Sequence, residues 1–432
     1  MSADVKVSTR HALRVLRPGP FRRYIIGSAI SDTGTWMQVM AQGYVMSTLT
    51  NKAIMLGMAN LAAGLPMLLL TMAGGSAADR FDKRKILLGT QYLQIALAIS
   101  IGLLIMSGKI EIWHILAFAV VLGISNSFEM PTLNAFVPEL VTRDEIQSAI
   151  AVDRAVFHGS RVVGPSLAGI FIGAWGAASA FFCNAFSFVA LIIALFMIPP
   201  RSRGTAEEEQ KRASGIKDGF RYVAKDKPSL AMIGFIAATT VFIFPIITVM
   251  MPLYVRLVLG LGADRLGLLM GASAVGSVIG AIFLISIPHH KRVPFMMVNV
   301  GIVACAIFGL SRAPSFYLAT GLLVLNSLGL AMNFGLANTI VQERAPDYLR
   351  GRVSAVFMLS FVGLMPVAGL GITGLSDLIG MRTALAIAAV CYAVIALIVP
   401  EFVRVAAPPL EETPTATPEM NAPAAFVRLP PA

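Results

Sequence analysis

A single carboxylate interrupts the first apolar stretch of the chain. Asp32 lies nine residues past Arg23, which at helical rise is roughly 13 Å into a membrane. Ser28, Ser31, Asp32, Thr35, Gln38 and Gln42 fall within about 120° of one another at 100° per residue, a polar stripe on an otherwise apolar helix. Two further groups resemble it. Asn126 and Glu129 share a face in the fourth apolar stretch, and Arg154, His158 and Arg161 stand at i, i+4 and i+7 in the fifth. An ionisable side chain inside a membrane segment is costly and marks a functional site by default. Burial disfavours a carboxylate's charge and a neighbouring cation favours it, so Asp32 or Glu129 is suited to taking up and releasing protons. Arg161 is the cation expected to pair with one of them; a fixed ion pair that only bundles helices is the alternative. No nucleophile–base–acid arrangement or phosphate-cradling glycine loop stands out, so an enzyme is not expected.

The second half of the chain has no comparable buried acid. Its expected cavity lining is Thr239, Thr240, Phe242 and Phe244, with Asn326 and Asn333 seven apart on one face of a later helix. An apolar wall opposite a charged one suits a bulky amphipathic molecule. Cys183, Cys305 and Cys391 fall in three different apolar helices and give no disulfide or metal framework. His289 and His290 lie in a cationic loop and are expected to be solvated. Neither a cofactor nor a metal is anticipated.

The elements that must carry these residues follow from composition. The chain is 56% hydrophobic and 13% charged, against roughly 25% charged in soluble domains. Charges separate apolar blocks of about 20 residues, the length of a membrane-crossing helix. The blocks lack period-2 alternation, which disfavours a barrel. The fold class expected is an all-α integral membrane protein with twelve transmembrane helices in two pseudo-symmetric six-helix bundles. Residues 1–23 form an N-terminal arm, 24–198 the first bundle and 199–228 a central loop. Residues 229–400 form the second bundle and 401–432 a Pro-, Ala- and Thr-rich disordered tail. In the central loop, Ile216, Phe220 and Val223 share a helical face, predicting a short amphipathic helix along the membrane surface. At an offset of 204, Asn134–Glu139 aligns with Asn338–Glu343 and Gly176 with Gly380, as parallel repeats would.

The net charge of +11 reflects topology. With the N-terminus inside and sides alternating, 28 of the 34 Lys and Arg fall on the inner side, the positive-inside bias of a polytopic protein. Both termini are then cytoplasmic, and nucleic acid is not an expected partner. The first 20 residues show no cleavable signal peptide. An inner-membrane location and a monomer are expected.

Several stretches together resemble one branch of the major facilitator superfamily, the one containing enterobactin exporters and macrolide efflux proteins. They are Ser31-Asp-Thr-Gly-Thr-Trp36, Asp79-Arg-Phe-Asp-Lys-Arg-Lys85, Pro131 through Pro138-Glu-Leu-Val141, Arg161-Val-Val-Gly-Pro-Ser-Leu-Ala-Gly169, Gln342-Glu-Arg-Ala-Pro-Asp347 and Arg350-Gly-Arg-Val353. The resemblance spans roughly residues 21–400 and departs from the family at Asp82, where Gly is common. It implies a secondary transporter, in first place a proton-coupled exporter of a drug-like or siderophore-like small molecule. An importer or facilitator of another solute, or a non-transporting receptor on the same scaffold, are the alternatives. It also implies a cytoplasmic gate around Gly75, Asp79, Arg80 and Arg84. Asp79 would cap a neighbouring helix, and the arginines would meet acids such as Glu139 when the outward-open state forms. Gly164, Pro165 and Gly169 look like the helix-five element of exporters that exchange cargo for protons.

Overall fold

The computed structural model describes residues 13–199, 216–346 and 348–406. The run from Glu207 to Arg212, Asp347 and the tail beyond residue 406 therefore lie outside the described residues. Within them every regular element is helical. After a short turn, Leu13–Leu16, come α1 (Pro20–Leu49), α2 (Ala53–Arg80), α3 (Lys83–Met106), α4 (Ile112–Phe136), α5 (Ile146–Trp175) and α6 (Ala178–Met197). A ten-residue helix, α7 (Ile216–Lys225), precedes the second set. That set is α8 (Lys227–Val258), α9 (Ala263–Ile285), α10 (Arg292–Arg312), α11 (Phe316–Arg344), α12 (Arg350–Ile379) and α13 (Met381–Ala406). The last helix continues six residues past the boundary expected at residue 400.

Ten of these helices are long and apolar enough to cross a membrane. α1 has 30 residues, but its polar stripe lowers its mean hydropathy, and α13 contributes a shorter apolar stretch, Met381–Ile395. Only helices that satisfy their own backbone can lie in hydrocarbon. Large apolar side chains such as Leu69, Met72 and Phe186 accordingly cover the outward faces.

Helix ends are fixed by local chemistry. Asp82 accepts from the backbone of Arg84 (2.9 Å) and Lys85 (3.4 Å), starting α3 immediately after α2 ends. Asp226 caps α8 through Ser229, ahead of Pro228. Gly176 and Gly380 end α5 and α12 with φ of 81° and 85°, a conformation that favours glycine. α8 and α12 are not regular throughout. Five-residue segments with wider turns occur at Ile246–Met250, Tyr254–Val258 and Leu359–Gly363, near Pro245, Pro252 and Pro366. Such bulges often mark functional stretches.

The helices of each half of the chain pack among themselves, α1 with α5 and α6, α2 and α3 with α4. In the second half α9 and α10 pack on α11, and α13 on α8 and α10. Two seams join the halves: α5 with α9, and α2 with α12. At Gly169 the backbones nearly touch, so that a Cβ would sit 2.9 Å from the Ala263 carbonyl oxygen. Gly164 instead admits α1, with a Cβ position 2.6 Å from that of Trp36.

The short helix α7 does not use the face expected of it. Val223 is buried and Phe220 exposed; the side chain of Ile216 lies outside the described residues. Tyr222 donates to the Arg344 carbonyl (2.7 Å) and Asp218 pairs with Arg352 (2.7 Å). Ten residues are too few to hold a helix alone, and docking on α11 and α12 supplies the missing contacts.

Candidate functional site

The carboxyls of the first half lie along α1, α4 and α5. Ser28 donates to Asp32 (3.0 Å) from one turn earlier, and Tyr24 donates to Asp153 on α5 (3.1 Å). Glu129 is held from α3: Gln91 Nε2 donates to Oε1 (2.7 Å), and Gln94 Nε2 reaches both Oε2 and Ser125. Asp32, Glu129 and Asp153 are all half-buried, while Gln91 and Gln94 are buried. Asp32 lies within electrostatic reach of both other acids. Among the described residues, none of the three has a lysine or arginine nitrogen within ion-pair distance. Removing a carboxyl's charge removes the cost of holding it in such surroundings.

The arginine expected to neutralise one of them does something else. Arg161 places its guanidinium over the Trp36 ring, 5.2 Å from the centroid, with Phe157 against the other side of that indole at 5.7 Å. α5 rises away from the acids, so Arg161 stands one turn beyond Asp32, where the two halves of the chain meet. Nor do Arg154, His158 and Arg161 act as a unit. Arg154 donates to Asn134 at the end of α4 (2.7 Å), and His158 is exposed beside Phe157. Gln38 is also diverted, accepting from Asn184 of α6 (2.9 Å) in the packed interior. Ser31 is buried, and Thr35, Gln42 and Asn126 are half-buried.

In the second half several residues expected to line a cavity turn out to join helices. Asn326 and Asn333 are fully buried. Asn333 accepts from Asn299 of α10 (3.2 Å) and donates to Tyr392 of α13 (3.4 Å). Asn326 Nδ2 reaches the Val303 carbonyl (3.5 Å), while its Oδ1 has no partner. Their spacing does place them on one face; that face looks outward to α10 and α13. Thr239 and Thr240 donate to carbonyls of their own helix (2.8 Å each). Phe242 packs against the core. The aromatic wall is built instead from Phe244, Phe334, Phe357 and Phe361, with ring centroids 4.5–5.3 Å apart.

The gate residues occupy one end of the molecule. Glu139 pairs with Lys83 (2.7 Å), and Arg84 donates to the Phe196 and Ile198 carbonyls (3.2 Å each) at the end of α6. Asp79 is exposed, and a Cβ at Gly75 would meet nothing within 4 Å, whereas Gly74 packs on α4. Asp82, the family departure, caps α3. A matching pair, Arg292–Glu343 (2.5 Å), joins α10 to α11. Both pairs stay within one half of the chain. At the opposite end the halves are tied together. Asp377 of α12 accepts from the backbone of Ala53 (2.7 Å) and Ile54 (2.9 Å), the first amides of α2, and Arg256 donates to Asn51.

Sequence reasoning missed Gln91, Gln94, Asp153 and Asp377. The first two carried a readable signal: glutamines three apart in an apolar run share a helix face.

Among the described residues the fold is all-helical, with ten helices long and apolar enough to cross a membrane, and fold and family are those of membrane transporters, not enzymes. The model of the transmembrane secretion effector family matches residues 11–429. Curated relatives include the staphyloferrin A transporter of Staphylococcus aureus (22% identical, covering 81% of this chain and 87% of that one). Macrolide efflux protein A of Streptococcus pyogenes is 21% identical over 82% of this chain and 89% of its own length. Among solved structures, a bacterial homologue of the human lysosomal transporter Spinster, inward-facing and unoccupied, superposes with a TM-score of 0.69 at 13% identity. It covers 92% of this chain and 99% of that one. The chain belongs to the transmembrane secretion effector family of the major facilitator superfamily.

Proposed function

We propose that this transporter is a proton-coupled exporter of an amphipathic, drug-like or siderophore-like molecule. It works by alternating access between two six-helix bundles, twelve spans in all, as a monomer in the inner membrane with both termini cytoplasmic. The observation that carries the reading is the cluster of Asp32, Glu129 and Asp153, half-buried and, among the described residues, with no lysine or arginine nitrogen within ion-pair distance. Protons leaving these groups on one side and reloading them on the other would couple cargo movement to the proton gradient. Each charge crossing 100 mV provides about 2.3 kcal/mol, roughly a 50-fold cargo gradient.

The arrangement of contacts supports a cytoplasm-open state. Among the described residues, hydrogen bonds across the two halves gather toward the Asp377 end, whereas Lys83–Glu139 and Arg292–Glu343 each join helices of one half. In that state Asp79 is exposed and Gly75 has open space beside it, as fits a latch that forms only in the outward-open state. Glu139 and Glu343, related by the 204-residue offset, each pair with a cation of a neighbouring helix in their own half, which supports two parallel repeats. The relatives named for macrolide efflux support an exported, drug-like cargo.

The test is flux in reconstituted vesicles with an imposed pH gradient, screening macrolides, siderophores and cationic dyes. Asp32→Asn and Glu129→Gln should each abolish gradient-driven accumulation while leaving cargo binding measurable. Full accumulation by both variants would end the coupling proposal.

A further inference from the structure

Arg161 is the one charge of the candidate pathway that the acids leave alone, and its surroundings describe a ligand. A guanidinium stays protonated at any physiological pH and presents a planar fork of donors suited to carboxylate or phosphate. Here it is half-buried where α1 and α5 meet α8 and α9, in a cavity lined on its other sides by Val39, Pro165, Met251 and Met270. Two hydroxyls, Thr248 and Ser273, face the same space. Thr248 donates to its own helix, and Ser273 shares a hydrogen bond with Ser327. The guanidinium carbon lies 5.2 Å from the centroid of the Trp36 ring, a cation–π contact that holds the group at the cavity and leaves the charge unneutralised. Among the described residues no carboxylate lies within ion-pair distance. A buried cation in apolar surroundings without a counter-ion is costly, and a counter-ion arriving with the cargo would remove that cost.

We propose that Arg161, stacked on Trp36, is an anion-binding residue that receives the acidic group of an organic anion whose apolar body fills the methionine-lined cavity. This names a cargo class for the transport reading: amphipathic molecules bearing a carboxylate or a comparable oxyanion. The acids nearer the open end repel such a molecule when charged and admit it when protonated, so anion binding and proton loading act in the same direction. Arg161 and Pro165 of α5 and Met270 and Ser273 of α9 line the same cavity, which puts the anion at a seam between the two halves.

The chain has three tryptophans, Trp36, Trp113 and Trp175, and the latter two are exposed on other surfaces. Full-length protein carrying Trp113→Phe and Trp175→Phe in lipid nanodiscs therefore reports on the site through Trp36 fluorescence. Fluorescein, an anionic carboxylate, and rhodamine 6G, a cationic ester on the same ring system, serve as probes. Fluorescein should quench Trp36 saturably and rhodamine 6G at least tenfold more weakly. Arg161→Gln should weaken fluorescein by about 10- to 100-fold, the worth of a hydrogen-bonded charge, and Arg161→Lys should restore part of that affinity. Nanodiscs of purely zwitterionic and of partly anionic lipid separate the sources. Competition by anionic lipid would identify a lipid headgroup as the oxyanion and overturn the cargo assignment. Equal binding of both dyes to the protein with native Arg161 overturns the proposal without any site variant, as does an Arg161→Gln protein that loses both dyes alike. Arg161-dependent fluorescein binding without pH-driven flux would instead sink the transport reading and leave the anion site standing.

Discussion

Glu129 shows how a carboxyl is kept available inside a helical bundle. Its two oxygens receive amide donors from Gln91 and Gln94 on the neighbouring helix, so it is oriented without being paired to a cation. Each hydrogen bond to a charged group contributes about 1.5–3 kcal/mol, and the donors are neutral, so they steer the carboxyl without locking it as an arginine would. Changing both glutamines to leucine should therefore shift the pH profile of vesicle flux by a unit or more while the protein still assembles. An unchanged profile would show that Glu129 does not titrate during transport. The acids of α1 and α4 were legible in the sequence because a charge in an apolar run stands out. Ser28, which donates to Asp32, was legible in the same polar stripe, whereas the glutamines that hold Glu129 carry no charge and only their three-residue spacing marks them. Arg161 was legible as a site but not in its role: spacing along α5 gives the face, and only the three-dimensional arrangement shows Trp36 beneath it and the acids a turn away.

At the level of helices, the apolar blocks announced themselves, and their ends could be read from Asp82, Asp226, Gly176 and Gly380. What could not be read was which way a polar face turns. Asn326 and Asn333 share a face as their spacing requires, yet that face meets α10 and α13, because an i, i+7 pattern is silent about the neighbour it addresses. The short helix α7 carries the same lesson: its amphipathic pattern is compatible with lipid or with protein, and the second set of helices claims it. The clamp centres on Asp226, which accepts from Arg344 Nε (2.9 Å) and Nη2 (2.8 Å). Burial alone would push the Asp226 carboxyl upward, but the hydrogen bonds from Arg344 and Ser229 outweigh it and hold the group below the ordinary carboxylate range. The stabilisation is therefore fully present above the ordinary aspartate value of about 3.9 and is lost as pH falls through the lower folded value. Thermal unfolding in detergent should show an unchanged contribution from pH 7 to 5 and a decline below about pH 4. Asp226→Asn should lower the midpoint at neutral pH by an amount equivalent to about 1–3 kcal/mol and remove that acid-dependent component. A variant as stable as the native protein at neutral pH would show that the clamp is dispensable.

For the whole molecule, the question is what ties the two halves of the chain together at one end. Asp377 joins α12 to the first amides of α2, across the seam between the two halves of the chain. Two charge-assisted bonds weighing about 1.5–3 kcal/mol each are enough to move a two-state equilibrium by tenfold or more. Asp377→Asn should thus raise the population of the oppositely open state. Spin labels placed at the exposed positions Phe81 and Tyr348, on different halves at the end opposite Asp377, would then report a shorter distance in a larger fraction of molecules. An unaltered distance distribution would mean that the glycine-lined seams alone set the balance.

The same contact makes the protein its own recorder. The interior amides of a helix bond to carbonyls of that helix and stay shielded in either state. Those of Ala53 and Ile54 rely on an acceptor carried by the other half, so deuterium reaches them only when the halves part at that end. Their exchange rate counts those openings, and a bound cargo, a proton gradient or a variant anywhere in the molecule would register there as a change in rate at two neighbouring peptide positions.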